Sequence, residues 1–130
     1  MMINANPPDK HKKNRTLLMC AFAMLVSHGP VHAHAILVHA EPAKDAVIDK
    51  PPSEIKLTFN EEVGEEYLAL AVQNDKGKRV DGHDASLQFG NHANLSASVS
   101  DMSSGKYLVR YRVLSADGHV ISGKYYFTIK

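Results

Sequence analysis

Short segments of alternating apolar and polar residues recur from residue 35 onward, with turn residues between them. Such alternation predicts half-buried β-strands. The predicted strands cover residues 35–39, 54–59, 67–73, 95–99, 106–114 and 120–129. Residues 78–91 carry no clear pattern, and no amphipathic helix longer than two turns is evident. These six ranges, together with the unassigned residues 78–91, make about seven short strands.

This number and spacing of strands are typical of an all-β fold, an immunoglobulin-like Greek-key β-sandwich of two antiparallel sheets. A small closed barrel is the alternative architecture. In 106–114, Tyr107, Val109, Tyr111 and Val113 share one face, and we expect tyrosines and phenylalanines at such positions to lie in the core. The 130 residues allow one ordinary domain.

The first quarter of the chain is patterned as a leader and not as part of this fold. Residues 1–16 are basic, residues 17–26 are uninterruptedly apolar, and a Gly-Pro break follows. Val31 and Ala33 are then small residues at the −3 and −1 positions of a cleavage site. We predict a secretory signal peptide over 1–33, a domain over 34–130 and export from the cytoplasm.

Two other interpretations of the leader are weaker. The apolar run is too short for a membrane span, which needs about 20 residues. A lipoprotein signal ending at Cys20 is the other alternative, but Met19 is bulky where a small residue is needed, and the apolar run continues past the cysteine.

Removal of the leader changes the composition. Residues 34–130 contain 11 Lys/Arg, 13 Asp/Glu and no cysteine, so neither thiol chemistry nor disulfides are available. No basic cluster, phosphate-binding loop, Gly-x-Ser-x-Gly or His-Glu-x-x-His sequence is present. We therefore expect a monomer that is not an enzyme, with no nucleic-acid partner and no small-molecule substrate.

His34 becomes informative if cleavage follows Ala33. An N-terminal histidine offers its α-amine and ring Nδ1, which can close a chelate on one metal ion, and such nitrogen donors suit Cu(II). The competing explanation is that signal peptidase cuts before a histidine by chance. Residue 36 is isoleucine, so a square of amine, two amides and a third-position imidazole is excluded.

Asp117-Gly118-His119, just before the last predicted strand, is a second candidate. In extended backbone, residues i and i+2 project to the same side, so a carboxylate and an imidazole can meet one ion. Asp-Gly is also an ordinary turn dipeptide. Together with His34, the pair would complete a donor set of three nitrogens and one oxygen.

Other histidines and acids carry weaker signals. Asp81-Gly82-His83 repeats the same tripeptide, and we interpret it as a polar turn, with weak metal binding as the alternative. His39, in a predicted strand, and His92, in a predicted loop, are further weak candidates.

Two blocks of the chain carry a family resemblance. The first contains His34-Ala35-x-Leu37, Pro42-Ala43 and Leu57-x-Phe59-Asn60-Glu61-x-Val63. The second contains Gly105-x-Tyr107, Arg112-Val113-x-Ser115-x-Asp117-Gly118-His119, Gly123 and Phe127. Together they resemble the CopC-type periplasmic copper-binding (copper resistance) proteins over essentially all of 34–130, and that family has a seven-stranded Greek-key sandwich.

The resemblance implies one Cu(II) ion per chain. His34 would bind through its amine and ring, Asp117 through its carboxylate and His119 through its ring. Glu61 matches an acid near the family's site, as a hydrogen-bonding partner of a ligand or a weak axial ligand. Some members add a methionine-built Cu(I) site, but Met102 is the sole methionine of 34–130, which argues for Cu(II) alone.

The implied function is a copper protein that buffers or carries Cu(II) for resistance or homeostasis, with a CopD-type inner-membrane importer as a possible acceptor. Storage, detoxification and import stay open. One alternative is an enzyme resembling the histidine-brace copper monooxygenases, which the short domain without tryptophan disfavours. Another is an immunoglobulin-like module without metal.

Overall fold

The computed structural model describes residues 34–130, and the predicted signal peptide and Cys20 lie outside this range. Eight strands form, and no helix does, among these residues. Their bounds are β1 Leu37–Glu41, β2 Val47–Ile48, β3 Glu54–Phe59, β4 Gly64–Gln73, β5 Ser86–Gln88, β6 Asn91–Ser98, β7 Gly105–Leu114 and β8 Val120–Ile129. No helix here has the length and apolar character needed to cross a membrane.

The strands form two four-stranded sheets, in the orders β1-β3-β6-β5 and β2-β8-β7-β4. Every pair is antiparallel except β2 with β8. Because β3 and β4 lie in different sheets, as do β6 and β7, the chain crosses repeatedly between the layers. The all-β sandwich is therefore confirmed, and the barrel alternative is wrong because the sheets are separate.

The core lies between the sheets and comes from alternate strand positions, as the sequence pattern predicts. In β3, Ile55, Leu57 and Phe59 are buried, and in β8, Tyr125 and Phe127 are buried. Tyr107 and Phe127, which are partners on neighbouring strands of one sheet, stack with ring centroids 5.5 Å apart, and Phe59 meets Tyr111 of the other sheet at 5.6 Å.

Several strand bounds differ from those predicted. The first strand begins at residue 37 and not at 35, because Ala35 bonds to a side chain and not to a neighbouring strand. The weakly patterned stretch contains β5. The loop between the first two predicted strands contains β2, two residues that pair in parallel with the end of β8.

The polar turn predicted at Asp81-Gly82-His83 is also different in the structure. The Asp81 side chain is 0% exposed and pairs with Arg79 at 2.6 Å. Its carboxylate also accepts the backbone N–H groups of Val72, at 2.8 Å, and His83, at 3.2 Å. Asp81 is thus a buried carboxylate held by hydrogen bonds, which an Asp-Gly sequence does not reveal.

Candidate metal centre

The candidate centre lies at the end of the sandwich where β7 turns into β8. A compact turn closes this connection: Ser115 and His119 are joined by a backbone hydrogen bond of 2.8 Å, and Gly118 donates to the Ser115 carbonyl at 2.9 Å. Gly118 has φ of +86°, a conformation that favours glycine. This turn brings Asp117 and His119 together.

Asp117 contacts both histidines of the site. Its Oδ1 accepts the backbone N–H of His119 at 3.1 Å. Its Oδ2 lies 3.0 Å from Nδ1 of His34 and 3.1 Å from Nδ1 of His119. One carboxylate oxygen therefore faces both imidazoles, although His34 is 83 residues distant from Asp117 in the sequence.

The site is open on its imidazole side and covered on its carboxylate side. The side chains of His34 and His119 are 57% and 66% exposed, whereas that of Asp117 is 7% exposed. The two rings meet edge to face, with centroids 4.8 Å apart. An ion can thus reach the nitrogens from solvent while the carboxylate stays shielded.

The electrostatics of Asp117 favour a ligand that is always ionised. The hydrogen bond from the His119 backbone amide, aided by the His119 side chain, lowers the pKa of the Asp117 carboxyl to about 2, although partial burial raises it. Metal binding requires deprotonated ligands, so this carboxylate needs no proton release at neutral pH.

A hydrogen-bonded chain anchors the segment that carries His34. The Ala35 amide donates to Ser115 Oγ at 3.0 Å, and Ser115 Oγ donates to Glu61 Oε1 at 2.7 Å. The same Glu61 oxygen accepts the Ala116 amide at 3.3 Å. Glu61 is thus connected to the His34 segment through two hydrogen bonds and contacts the turn that carries the other two residues.

A second clamp holds the next residue. The Ile36 amide donates to Asn60 Oδ1 at 2.8 Å, and the Asn60 amide donates to the Ile36 carbonyl at 3.0 Å. The sequence interpretation did not assign roles to Ser115 or Asn60. Ser115 did carry a signal in the sequence, because it continues the alternation of the buried residues Tyr107, Val109 and Val113. A polar residue at such a buried position needs a hydrogen-bond partner.

The donor set fits a copper ion. Within residues 34–130, His34, Asp117 and His119 form the one group of at least three His, Asp or Glu residues whose ligand atoms all lie within 4.8 Å of one another. Two imidazoles and a carboxylate suit Cu(II) or Zn(II). A free His34 amine would add a third nitrogen, which favours the tetragonal geometry of Cu(II).

The other candidates lie elsewhere among the described residues. Exposed His39 pairs with Glu41 at 3.0 Å, and His92 lies 3.9 Å from Glu65. Met102 is buried in the core. None of these belongs to the three-residue group at the β7–β8 turn.

Comparison with known proteins gives a consistent family match. A family model described as the CopC domain matches residues 37–130. The crystal structure of CopC from Methylosinus trichosporium OB3b is 33% identical, has a TM-score of 0.69, and covers 75% of this chain and 94% of that chain. PcoC, a methionine-rich copper resistance protein from Escherichia coli, is 24% identical with a TM-score of 0.63, over 75% of this chain and 100% of that one. That second likeness concerns the fold alone.

A curated relative is longer. The copper transport protein CutJ of Bacillus subtilis is 27% identical over 119 residues, which make up 91% of this chain and 22% of CutJ. This chain therefore spans less than a quarter of that relative's length.

Proposed function

Because the chain belongs to the CopC family, we propose that it is a periplasmic Cu(II)-binding protein that buffers or carries copper. The observation that carries the proposal is the convergence of His34, Asp117 and His119, with all ligand atoms within 4.8 Å. The similarity to CutJ, a copper transport protein, supports copper as the ion.

In this proposal, cleavage after Ala33 frees the amine of His34, and Cu(II) binds this amine, the two imidazoles and the Asp117 carboxylate. The carboxylate already faces both Nδ1 atoms, so copper would replace imidazole–carboxylate contacts without moving the loops. Glu61 stays a hydrogen-bonding partner, since its Oε1 is engaged by Ser115 and Ala116.

A carrier role follows from the exposure of the two imidazoles, which lets copper exchange at the surface. We propose a CopD-type membrane importer as the acceptor; the match to part of CutJ, a copper transport protein, supports transport over storage. A non-catalytic role is part of the same proposal, because four protein donors would fill a square-planar ion.

The test is a Cu(II) competition titration of the protein that begins at His34, against a chromogenic chelator. We expect one copper per chain. His119→Ala should weaken binding at least about 100-fold, because losing a residue that only orients a metal ligand already weakens binding by up to about 100-fold. His92→Ala, which changes a partly exposed histidine outside the site, is the matched control.

A second variant isolates the amine. A chain that begins at His34 but carries an acetyl group on its terminal nitrogen keeps every side chain and lacks the free amine, so only the imidazoles and the carboxylate remain as donors. Equal affinity of the two chains would refute the amine as a ligand, and equal affinity of His119→Ala and the parent would refute the site itself.

A further inference from the structure

The outer face of the β2-β8-β7-β4 sheet carries a feature that copper binding does not use. A shallow groove of about 640 Å³ crosses β4, β7 and β8. Ala69 and Ala71 of β4 line it together with Arg79, Arg110 and Arg112. None of the residues of the candidate metal centre lines this groove.

Charge is segregated along this sheet, whose two strand acids, Glu65 and Glu66, lie at the start of β4 and outside the residues that line the groove. Strands β7 and β8 contain four cations, Lys106, Arg110, Arg112 and Lys124, and no acid. Residues 34–130 as a whole have more acids than bases. Within that range, none of the four cations lies in an ion pair.

Arg110 and Lys124 are direct partners across the β7–β8 ladder. Like charges directly opposite each other in an antiparallel pair destabilise the sheet. Both side chains are exposed, so a neutral or acidic residue would fit either position without disturbing the core. The arrangement opposes stability and favours an anionic ligand that neutralises both charges.

We propose that this groove binds an extended, carboxylate-rich segment of a partner protein. The alanines of β4 form a floor one strand wide. Arg79, whose charge is paired with Asp81, lies on one side because it pairs with Gln73, and Arg110 lies on the other because it pairs with Ala71. A narrow floor between two long side chains fits an extended chain better than a flat membrane surface. Glutamate or aspartate side chains would reach Arg110, Arg112 and Lys124 from above that floor.

This interaction is separate from the copper site. The groove lies on a sheet face, while His34, Asp117 and His119 lie at the end of the sandwich, so both can be occupied together. Failure of copper binding would leave this proposal standing, and the reverse holds as well.

The test uses a fluorescent hexaglutamate peptide and anisotropy with the purified protein, at ionic strengths of about 50 and 200 mM. Arg110→Gln/Lys124→Gln should weaken binding about tenfold, the effect of two exposed charge interactions. Lys44→Gln/Lys50→Gln makes the same change in net charge at two exposed loop positions on either side of β2 and should bind like the parent. Equal weakening by both pairs would overturn the proposal, because net charge alone would then explain the binding.

Lys124→Glu separates binding from folding. It places an acid opposite Arg110, so it should raise the thermal midpoint while it weakens hexaglutamate binding. Hexaglutamate binding that Lys124→Glu leaves unchanged would overturn the proposal. So would tighter binding of phosphatidylglycerol vesicles or of tripolyphosphate than of hexaglutamate, since the preferred anion would then be a phosphate.

Discussion

Ser115 is the residue whose replacement tests the anchoring of His34 most directly. Its Oγ accepts the Ala35 amide and donates to Glu61, and the residue is 3% exposed. Ser115→Ala removes this oxygen and adds nothing. The buried Ala35 amide then loses its partner, and the segment that carries His34 loses one of its two clamps.

The magnitude follows from these contacts. A buried donor left without a partner costs about 1–3 kcal/mol of folding free energy. For a domain of this size, the melting temperature should fall by at least about 4 °C. Loss of the residue that orients a ligand should weaken Cu(II) binding by about 10–100-fold.

Two measurements separate positioning from stability. Competition titration with a chromogenic chelator gives the Cu(II) affinity, and circular dichroism gives the melting temperature of the copper-free protein. Ser122→Ala, an exposed serine in β8, is the control and should change neither. Glu61→Gln keeps an oxygen that accepts the Ser115 hydroxyl, so it should retain more affinity than Glu61→Ala.

One result would refute the reasoning: a Ser115→Ala protein that binds Cu(II) as tightly as the parent. A lower melting temperature with unchanged affinity would mean that Ser115 supports the fold and does not position His34.

Three further predictions concern the fold. Burial raises the pKa of the Asp81 carboxyl, but hydrogen bonds from Arg79 and two backbone amides outweigh it and lower the pKa below its usual value. This stabilisation is present above about pH 4 and is lost as the pH falls through the folded-state pKa. Asp81→Asn should therefore have a free energy of unfolding in urea about 2 kcal/mol below that of the parent at neutral pH. This difference should disappear in acid, and a difference that does not change with pH would contradict the prediction. Gly123→Ala should lose about 1–3 kcal/mol in urea unfolding, because the new Cβ would overlap the Tyr111 ring and hydroxyl; the loss should shrink in a Tyr111→Leu background, and an equal loss there would exclude the overlap as its cause. Leu57→Ala, at a position that is 0% exposed, should lose about 2–5 kcal/mol in the same assay, and a loss below that range would mean that the core closes around the site.

The sequence predicted the parts of the fold that alternation determines. Ile55, Leu57 and Phe59 alternate with polar residues and are buried, so β3 has the predicted bounds, as does β8. The two-residue strand β2 has no period of its own and forms through backbone bonds to the end of β8. Such tertiary pairing leaves no local signal.

The same distinction applies to the site. Asp117 and His119 are two residues apart, so their proximity is local, but it arises from a turn at Gly118 and not from the extended backbone that was predicted. The position of His34 beside them depends on Ser115, Glu61 and Asn60. Glu61 and Asn60 follow β3, Ser115 follows β7, and these strands lie in different sheets, so only the packing of the two sheets brings the residues together. The burial of Asp81 was not predicted for a similar reason. Its carboxylate accepts the backbone amide of Val72, which lies in the preceding strand, on the other side of a hairpin turn.

The most direct test of the copper proposal is native mass spectrometry of the protein recovered from the periplasm of cells grown with copper. We predict a mass that begins at His34 and carries one copper ion, which His119→Ala loses while its chain mass still begins at His34. A species that retains residues 1–33, or a cleaved protein that takes up no copper, would contradict the account.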